Sequence, residues 1–375
     1  GTGVASGILL ALLAIAWGIV LTQILPRADA WWFDLAEQAT RALGVTVRLG
    51  AVQGQADGIW PTLTLNQVAL LDERGQVALS LPQVSARISL GTLSPVALLS
   101  GEVRLDRLTL VRPELDVRRD ASGVIHVAGL KVSSARSAAN GGQSGLDWVL
   151  SQPRIQITQG TVRWTDELRG AQPLALQQVE LLLRNGLGLG RRKHELALAA
   201  TPSAEFGRRF EVRGDMHQPL WATSSTLDVK EGDTPGWWQQ LKVGLTRPTH
   251  WQTWSGKVRV TLPHVDVQRL KQHLSLPVEI NGGRGSVSGE LSLRKGEQRN
   301  VSVSLNLQDV QVRLAGDLNP LAFKTLAGEV AVQNEPTVST LSFSQLAFVL
   351  QDGLNWPASS GRLSWQHAAW KGGWT

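Results

Sequence analysis

Seven histidines, His126, His194, His217, His250, His264, His273 and His367, are the side chains best suited to metal or acid–base chemistry, and their spacing supports neither. No two stand four apart, and no flanking carboxylate pattern completes a zinc set. His264 and His273 bracket a helical patch but lie too far apart for one helix face to present both. Cysteine is absent, which removes thiol nucleophiles, disulfides and thiolate metal sites. "GLGLGRR" from Gly186 and "GGRGSVSG" from Gly282 match neither dinucleotide nor P-loop spacing and read as turns. Asp166–Glu167 in "WTDELRG" could pass for an acid/base pair. Adjacent strand residues point to opposite faces, so the pair reads as a solvated loop tip. Trp237–Trp238, and Trp251 with Trp254, lack the basic groove of a base-stacking platform and read as core, groove rim or membrane-facing end. No enzyme chemistry, cofactor or metal is expected, and no nucleic-acid partner.

What remains is apolar surface with an irregular rhythm. In "LALQQVEL", Leu174 and Leu176 alternate as a half-buried strand requires, but the next apolar residues are Val179 and Leu181, on the other parity. The same slip occurs in "LTLNQVAL" (Leu63, Leu65, Val68, Leu70) and "VRLDRLTL" (Val103, Leu105, Leu108, Leu110). It returns in "LNLQDVQV" (Leu305, Leu307, Val310, Val312) and "LSFSQLAF" (Leu341, Phe343, Leu346, Phe348). "LSLPQVSA" and "VTLPHVDV" repeat it with proline at the break, where a ladder donor is lost. A two-residue hairpin would need residues such as Asn-Gly at the break, and none of the pairs contains glycine. A β-bulge needs only one extra residue and returns the side chains to their original face. These twenty residues are therefore the candidate lining of one shared apolar interior. On that reading Val310→Asp obstructs function more than folding. Irregular strands packing an ordinary sandwich core are the alternative.

The elements that would carry this lining are overwhelmingly strands. From Val45 onward the period is two, as in "VTVRLGAV", "KVRVTL" and "VSVSLNLQ", punctuated by "DERGQ", "RDASG" and "NGGRG". Short helical patches are expected at Asp147–Leu150, Pro235–Leu241 and Asp266–His273. "SSARSAANGGQSG" has the composition of a flexible linker. Before the strands, Val4 to Leu25 contains no charged residue and spans roughly 33 Å as a helix, about one bilayer core. Pro26 and Arg27 end it, and Trp31, Trp32 and Phe33 suit the headgroup zone. A retained anchor is favoured over a cleaved signal peptide, whose apolar core is usually shorter. Trp32, Leu35, Ala36, Ala39 and Leu43 then recur at helical spacing and mark an amphipathic helix that lies on the membrane or plugs the end of the sheet. The formal charge of +6 is interleaved along the chain, and its densest run, Arg191–Arg192–Lys193, is too short for a nucleic-acid arm.

"GIWPTLTLNQVALLDERGQVALSLPQVSARISLGTL" and "GEVRLDRLTLVRPELDVRRDASGVIHVAGL" resemble the YhdP branch of the AsmA-like proteins. So does "DWVLSQPRIQITQGTVRWTDELRGAQPLALQQVELLLRN". The resemblance covers essentially the whole chain and implies a Gram-negative inner-membrane protein with its bulk in the periplasm. It implies an elongated, curled, antiparallel β-sheet whose aliphatic groove passes phospholipid acyl chains towards the outer membrane. Members of that branch are longer, so the chain is expected to be the N-terminal portion of one.

The expected organisation is an anchor over 1–26, an amphipathic helix over 27–44 and a first groove segment over 45–132. A linker over 133–146 and a continuing groove segment over 147–375 follow. The expected partners are phospholipid acyl chains, the inner membrane, and a periplasmic or outer-membrane protein at the far end. The competing class is a scaffold for outer-membrane proteins that binds a partner's strand edge.

Overall fold

The computed structural model describes residues 46–89, 105–132, 152–219, 254–273, 279–313 and 319–366, except 73, 128, 129, 296 and 336, together with Gly18, Glu37, Thr40 and Gly91. The chain is mostly β and divides into two compact units: residues 1–168 with 177–185, and residues 169–176 with 186–375. The Trp31–Phe33 cluster, the 133–146 linker and the patches at 147–150 and 235–241 lie outside the described residues, as does the 4–25 run apart from Gly18. Among the described residues no helix is long and apolar enough to cross a membrane. Glu37 and Thr40 are helical, and the Thr40 hydroxyl accepts a hydrogen bond from the Val47 amide at 3.0 Å.

The first unit contains β1 (Thr46–Arg48), β2 (Ala51–Asp57), β3 (Trp60–Leu71), β4 (Val77–Ile88), β5 (Leu105–Val111) and β6 (Glu114–Arg119). It continues with β7 (Ile125–Val127), β8 (Leu130–Val132), β9 (Arg154–Asp166) and the middle of β10 (Leu174–Gly188). β1 and β2 both pair with β3, which pairs with β4, and β4 pairs with β5 and β6. These pairings are antiparallel, whereas β9 lies parallel beside both β5 and β6. A parallel neighbour requires a long return connection, and residues 120–153 supply it.

The second unit is a meander. β11 (Arg191–Pro202), β12 (Phe210–Pro219), β13 (Ser255–Asp266), β14 (Glu279–Arg294) and β15 (Glu297–Arg313) each pair antiparallel with the next. β16 (Leu321–Asn334), β17 (Val338–Leu350) and β18 (Asn355–Gln366) continue the same way. One short helix, α1 (Val267–Lys271), follows β13 inside the predicted Asp266–His273 patch. Asp266 caps it, its carboxylate accepting from the Arg269 amide at 3.1 Å.

Candidate functional site: an apolar sheet face

At four of the missed beats a residue pair faces outward together, whereas Asp106 and Arg107 stay half-buried. Gln177–Gln178, Pro263–His264, Gln308–Asp309 and Ser344–Gln345 are all exposed, with apolar neighbours turned in on both sides. At four breaks the backbone cause is a left-handed residue in the second place, Gln67 at φ 55°, Gln178 at 49°, Asp309 at 51° and Gln345 at 52°, whereas Gln83, Arg107 and His264 are not left-handed. Such residues cost of order 1–3 kcal/mol each, so the surrounding ladder must hold them there.

A one-residue bulge explains only some of these sites. Gln345 with Leu346 opposes Gly328 alone, and Pro263–His264 opposes Ser286 alone, so both are true insertions. At Gln67 the register continues unchanged on both sides, and the residue facing it is Pro82. Arg112–Pro113 then faces that proline from β5–β6, with Arg112 at φ 52°, and Gln159–Gly160 faces Arg112–Pro113 from β9, with Gln159 at φ 54°. The breaks line up as a crease across the sheet. A lone kink would leave its neighbours' ladder groups unpaired, whereas kinks in one row let adjacent strands turn together. Glycine completes the row on the outer side. A Cβ on Gly50 would stand 2.8 Å from Gln67 Oε1 and 2.9 Å from its Cβ. The second unit repeats the device, with Asp309 facing Gly283 and Lys324 in unbroken register.

In the second unit the crease preserves one apolar face across the strands. Leu196, Gly214, Val258, Leu291, Val301, Val332, Leu341 and Leu363 are successive partners along one rung. Leu198, Val212, Val260, Gly289, Val303, Val330, Phe343 and Gly361 form the next. From Val258 to Leu341 and from Val260 to Phe343 these residues are half-buried, none fully enclosed. The opposite face is polar, with Arg259, Glu290, Ser302, Ala331, Ser342 and Arg362 in one rung. Glu290 accepts from Lys257 at 2.7 Å and Arg259 at 2.6 Å; the Lys257 bond and then the Arg259 bond hold its carboxyl below the usual range.

The face closes at the α1 end. Val265, Val267, Leu307, Val310 and Phe323 form an enclosed cluster, and Leu305, Val312, Leu326 and Phe348 pack against it. Phe323 meets Phe348 edge-on at 5.3 Å, and Phe348 stacks on Trp356 at 5.7 Å. Val310 is 0 % exposed. The expectation that it lies in an open lining is therefore corrected: α1 covers it, and Val310→Asp would break a core.

The sequence-selected lining residues thus fall into different settings. Leu305, Leu307, Val310, Val312 and Phe348 belong to the cluster near α1; Leu341 and Phe343 lie on the half-buried rungs, and Leu346 is half-buried on β17. In the first unit Leu65 pairs with Val52 and Val84, Val84 with Leu110, and Leu110 with Ile157; Leu63 connects through Ala86 and Leu108 to Ile155. Val68, Leu70, Leu105 and Leu108 are fully buried there. Leu174 and Leu176 are half-buried, Val179 is buried, Leu181 is half-buried, and Val103 lies outside the described residues. Sequence reasoning missed Val258, Val260, Leu291, Val301, Val303, Val330 and Val332, because it selected residues by the break. Plain alternation in "KVRVTL", "ELSLR", "VSVSLNLQ" and "VAVQ" would have found them.

Polar clusters elsewhere serve structure. Asp120 accepts from the Ser122 hydroxyl and the Ser122 and Val124 amides, and its other oxygen meets His126 Nε2 at 2.8 Å. The Ser122 hydroxyl and then His126 hold this carboxyl well below the ordinary range. Serine donates to the acid here and not to the histidine, so no nucleophile–base relay exists. Asp166, expected in solvent, is instead enclosed at the end of β9, where the parallel register sets it opposite Arg119 at 3.7 Å; Glu167 pairs with Arg118 at 3.1 Å. His194 is buried and stacked on Trp254 at 4.0 Å. Burial, and then the Arg192 charge, lower its pKa to about 4. Among the described residues no group of His, Asp and Glu could hold a metal ion.

No curated protein and no solved structure matches the chain. A family model described as YhdP protein matches residues 3–374. With the creased, one-sidedly apolar strands described above, that match across nearly the whole sequence makes this chain a member of the YhdP family.

Proposed function

We propose that this chain is an inner-membrane-anchored, periplasmic lipid conduit that moves phospholipid between the inner and outer membranes along the apolar face of its strands. The observation that carries the reading is the pair of half-buried rungs running from Val258 to Leu341 and from Val260 to Phe343. A contiguous apolar face on a polar-backed sheet marks a site for an apolar partner. An acyl chain is removed from water at ~0.8 kcal/mol per methylene, and that attraction has no direction. Successive rungs of valine and leucine therefore offer many equal resting places with no deep trap between them. The polar headgroup stays at the rim. Membership of the YhdP family supports this reading, as does the apolar run at Val4–Leu25 for the anchor.

The second reading, a scaffold that binds a partner's strand, is favoured by β18. This strand pairs with β17 and exposes Trp356, Leu363 and Trp365. Photo-crosslinking in cells separates the two. A photoreactive residue at Val303 or Val332 is expected to capture phospholipid, and one at the exposed Ser304 or Gln333 is not. Equal lipid capture at both pairs, or protein capture alone at Val303 and Val332, overturns the conduit reading.

A further inference from the structure

The turn between β10 and β11 carries the two most exposed large apolar side chains among the described residues. Its chain reversal needs one left-handed residue, and Gly190 at φ 68° supplies it. Nothing in the turn requires an apolar side chain, yet Leu187 is 66 % exposed and Leu189 is 101 % exposed. Gly186, Gly188 and Gly190 separate these leucines and keep the tip narrow. Arg191 and Lys193 are exposed immediately beside them. The first acidic residue along β11 is Glu195, beyond Lys193.

The same edge of the sheet adds more positive charge. Lys193 is opposite His217, His217 is opposite Ser255, and the Ser255 hydroxyl accepts from the Lys295 amide at 3.0 Å. Arg294 and Lys295 are exposed at that neighbouring turn, where Glu297, opposite Arg294, pairs with Arg299 at 2.9 Å. An apolar tip flanked by Arg191 and Lys193 matches an interface that is anionic outside and hydrocarbon within.

We infer that the Leu187–Leu189 hairpin docks on the surface of an anionic phospholipid bilayer. The two leucines enter the boundary between headgroups and acyl chains, and Arg191 and Lys193 meet the lipid phosphates. A narrow two-leucine point offers a protein partner little area, whereas it fits between lipid headgroups. This contact would hold one edge of the sheet against a membrane, and it stands whether or not the apolar face carries lipid.

The chain has no cysteine, so Leu189→Cys takes a single environment-sensitive fluorophore. The full chain, with its apolar N-terminal run held in a phosphatidylcholine nanodisc, is titrated with vesicles. A matching label at Asp352→Cys, in the exposed β17–β18 turn, is the control. With about a quarter phosphatidylglycerol in the vesicles, the Leu189 label is expected to shift to the blue and to be quenched by spin-labelled lipid, while the Asp352 label stays silent. Arg191→Ala with Lys193→Ala, in chains of unchanged circular dichroism, raises the lipid needed for half-maximal quenching about thirtyfold. High salt reverses docking. A solvent-like label at Leu189 with anionic vesicles, equal signals at both turns, or a shift that needs added protein and not lipid overturns the inference.

Discussion

The two units use the same aliphatic alternation and the same left-handed breaks, yet they treat their apolar residues differently. In the first unit Val52, Val68, Leu70, Val84, Leu105, Leu108 and Ile155 are all fully buried. In the second, Val258, Leu291, Val301, Val303, Val330, Val332 and Leu341 stay half-exposed, and full burial gathers at the strand ends, around α1 and around His194, Met216 and Trp254. The difference teaches that the break does not itself make an open face. It keeps apolar residues together, and whatever packs over them decides whether the face is core or binding surface.

Charged substitutions probe that contrast most strongly. Val68→Asp places an unpaired carboxylate in a closed core and should cost about 3–5 kcal/mol, read as a lower midpoint in urea unfolding. Val303→Asp, on the half-open face, should cost about 1 kcal/mol and leave the midpoint near the native value. Equal losses would erase the distinction between the units.

An enclosed patch at the edge of the second unit predicts a pH response. The His194 pKa is lowered from 6.5 to about 4, so the folded state resists a proton that the unfolded state accepts. Its contribution to stability is complete above pH 6.5 and is lost as pH falls through that window towards 4, by on the order of 3 kcal/mol. Unfolding midpoints of the native chain and His194→Gln, compared across this range, should show a shallower pH slope in the variant.

The crease itself gives the smallest effect. Gly50→Ala drives a methyl against the Gln67 side chain and the Asn66 carbonyl, and should cost about 1–2 kcal/mol by thermal unfolding. Gly186→Ala, where the added methyl meets nothing within 4 Å, should be close to neutral. A neutral Gly50→Ala would show that the row is not tightly coupled across strands.

Much of this was legible in the residue order. Period-two alternation marked the strands, and "LNLQDVQV" marked a break that keeps its face, because two adjacent polar residues between aliphatic pairs have no other way to leave the apolar side. Arg112–Pro113 and Gln159–Gly160 escaped notice, since proline and glycine occupy the place where the pattern expects an aliphatic residue. Both lie in the crease for the reason that hid them: proline gives up no ladder donor there, and a Cβ on Gly160 would press on Ile157 at 3.1 Å and Pro113 at 3.2 Å.

By itself the sequence determined which side of each strand is apolar, because side-chain direction follows from the backbone period within a few residues. Only the tertiary structure decided that the breaks align in a row, that Val310 is sealed beneath α1 while Val303 is not, and that Asp166 meets Arg119. Those outcomes depend on which distant strand lies alongside and in what register, and burial is a property of that neighbour as much as of the residue.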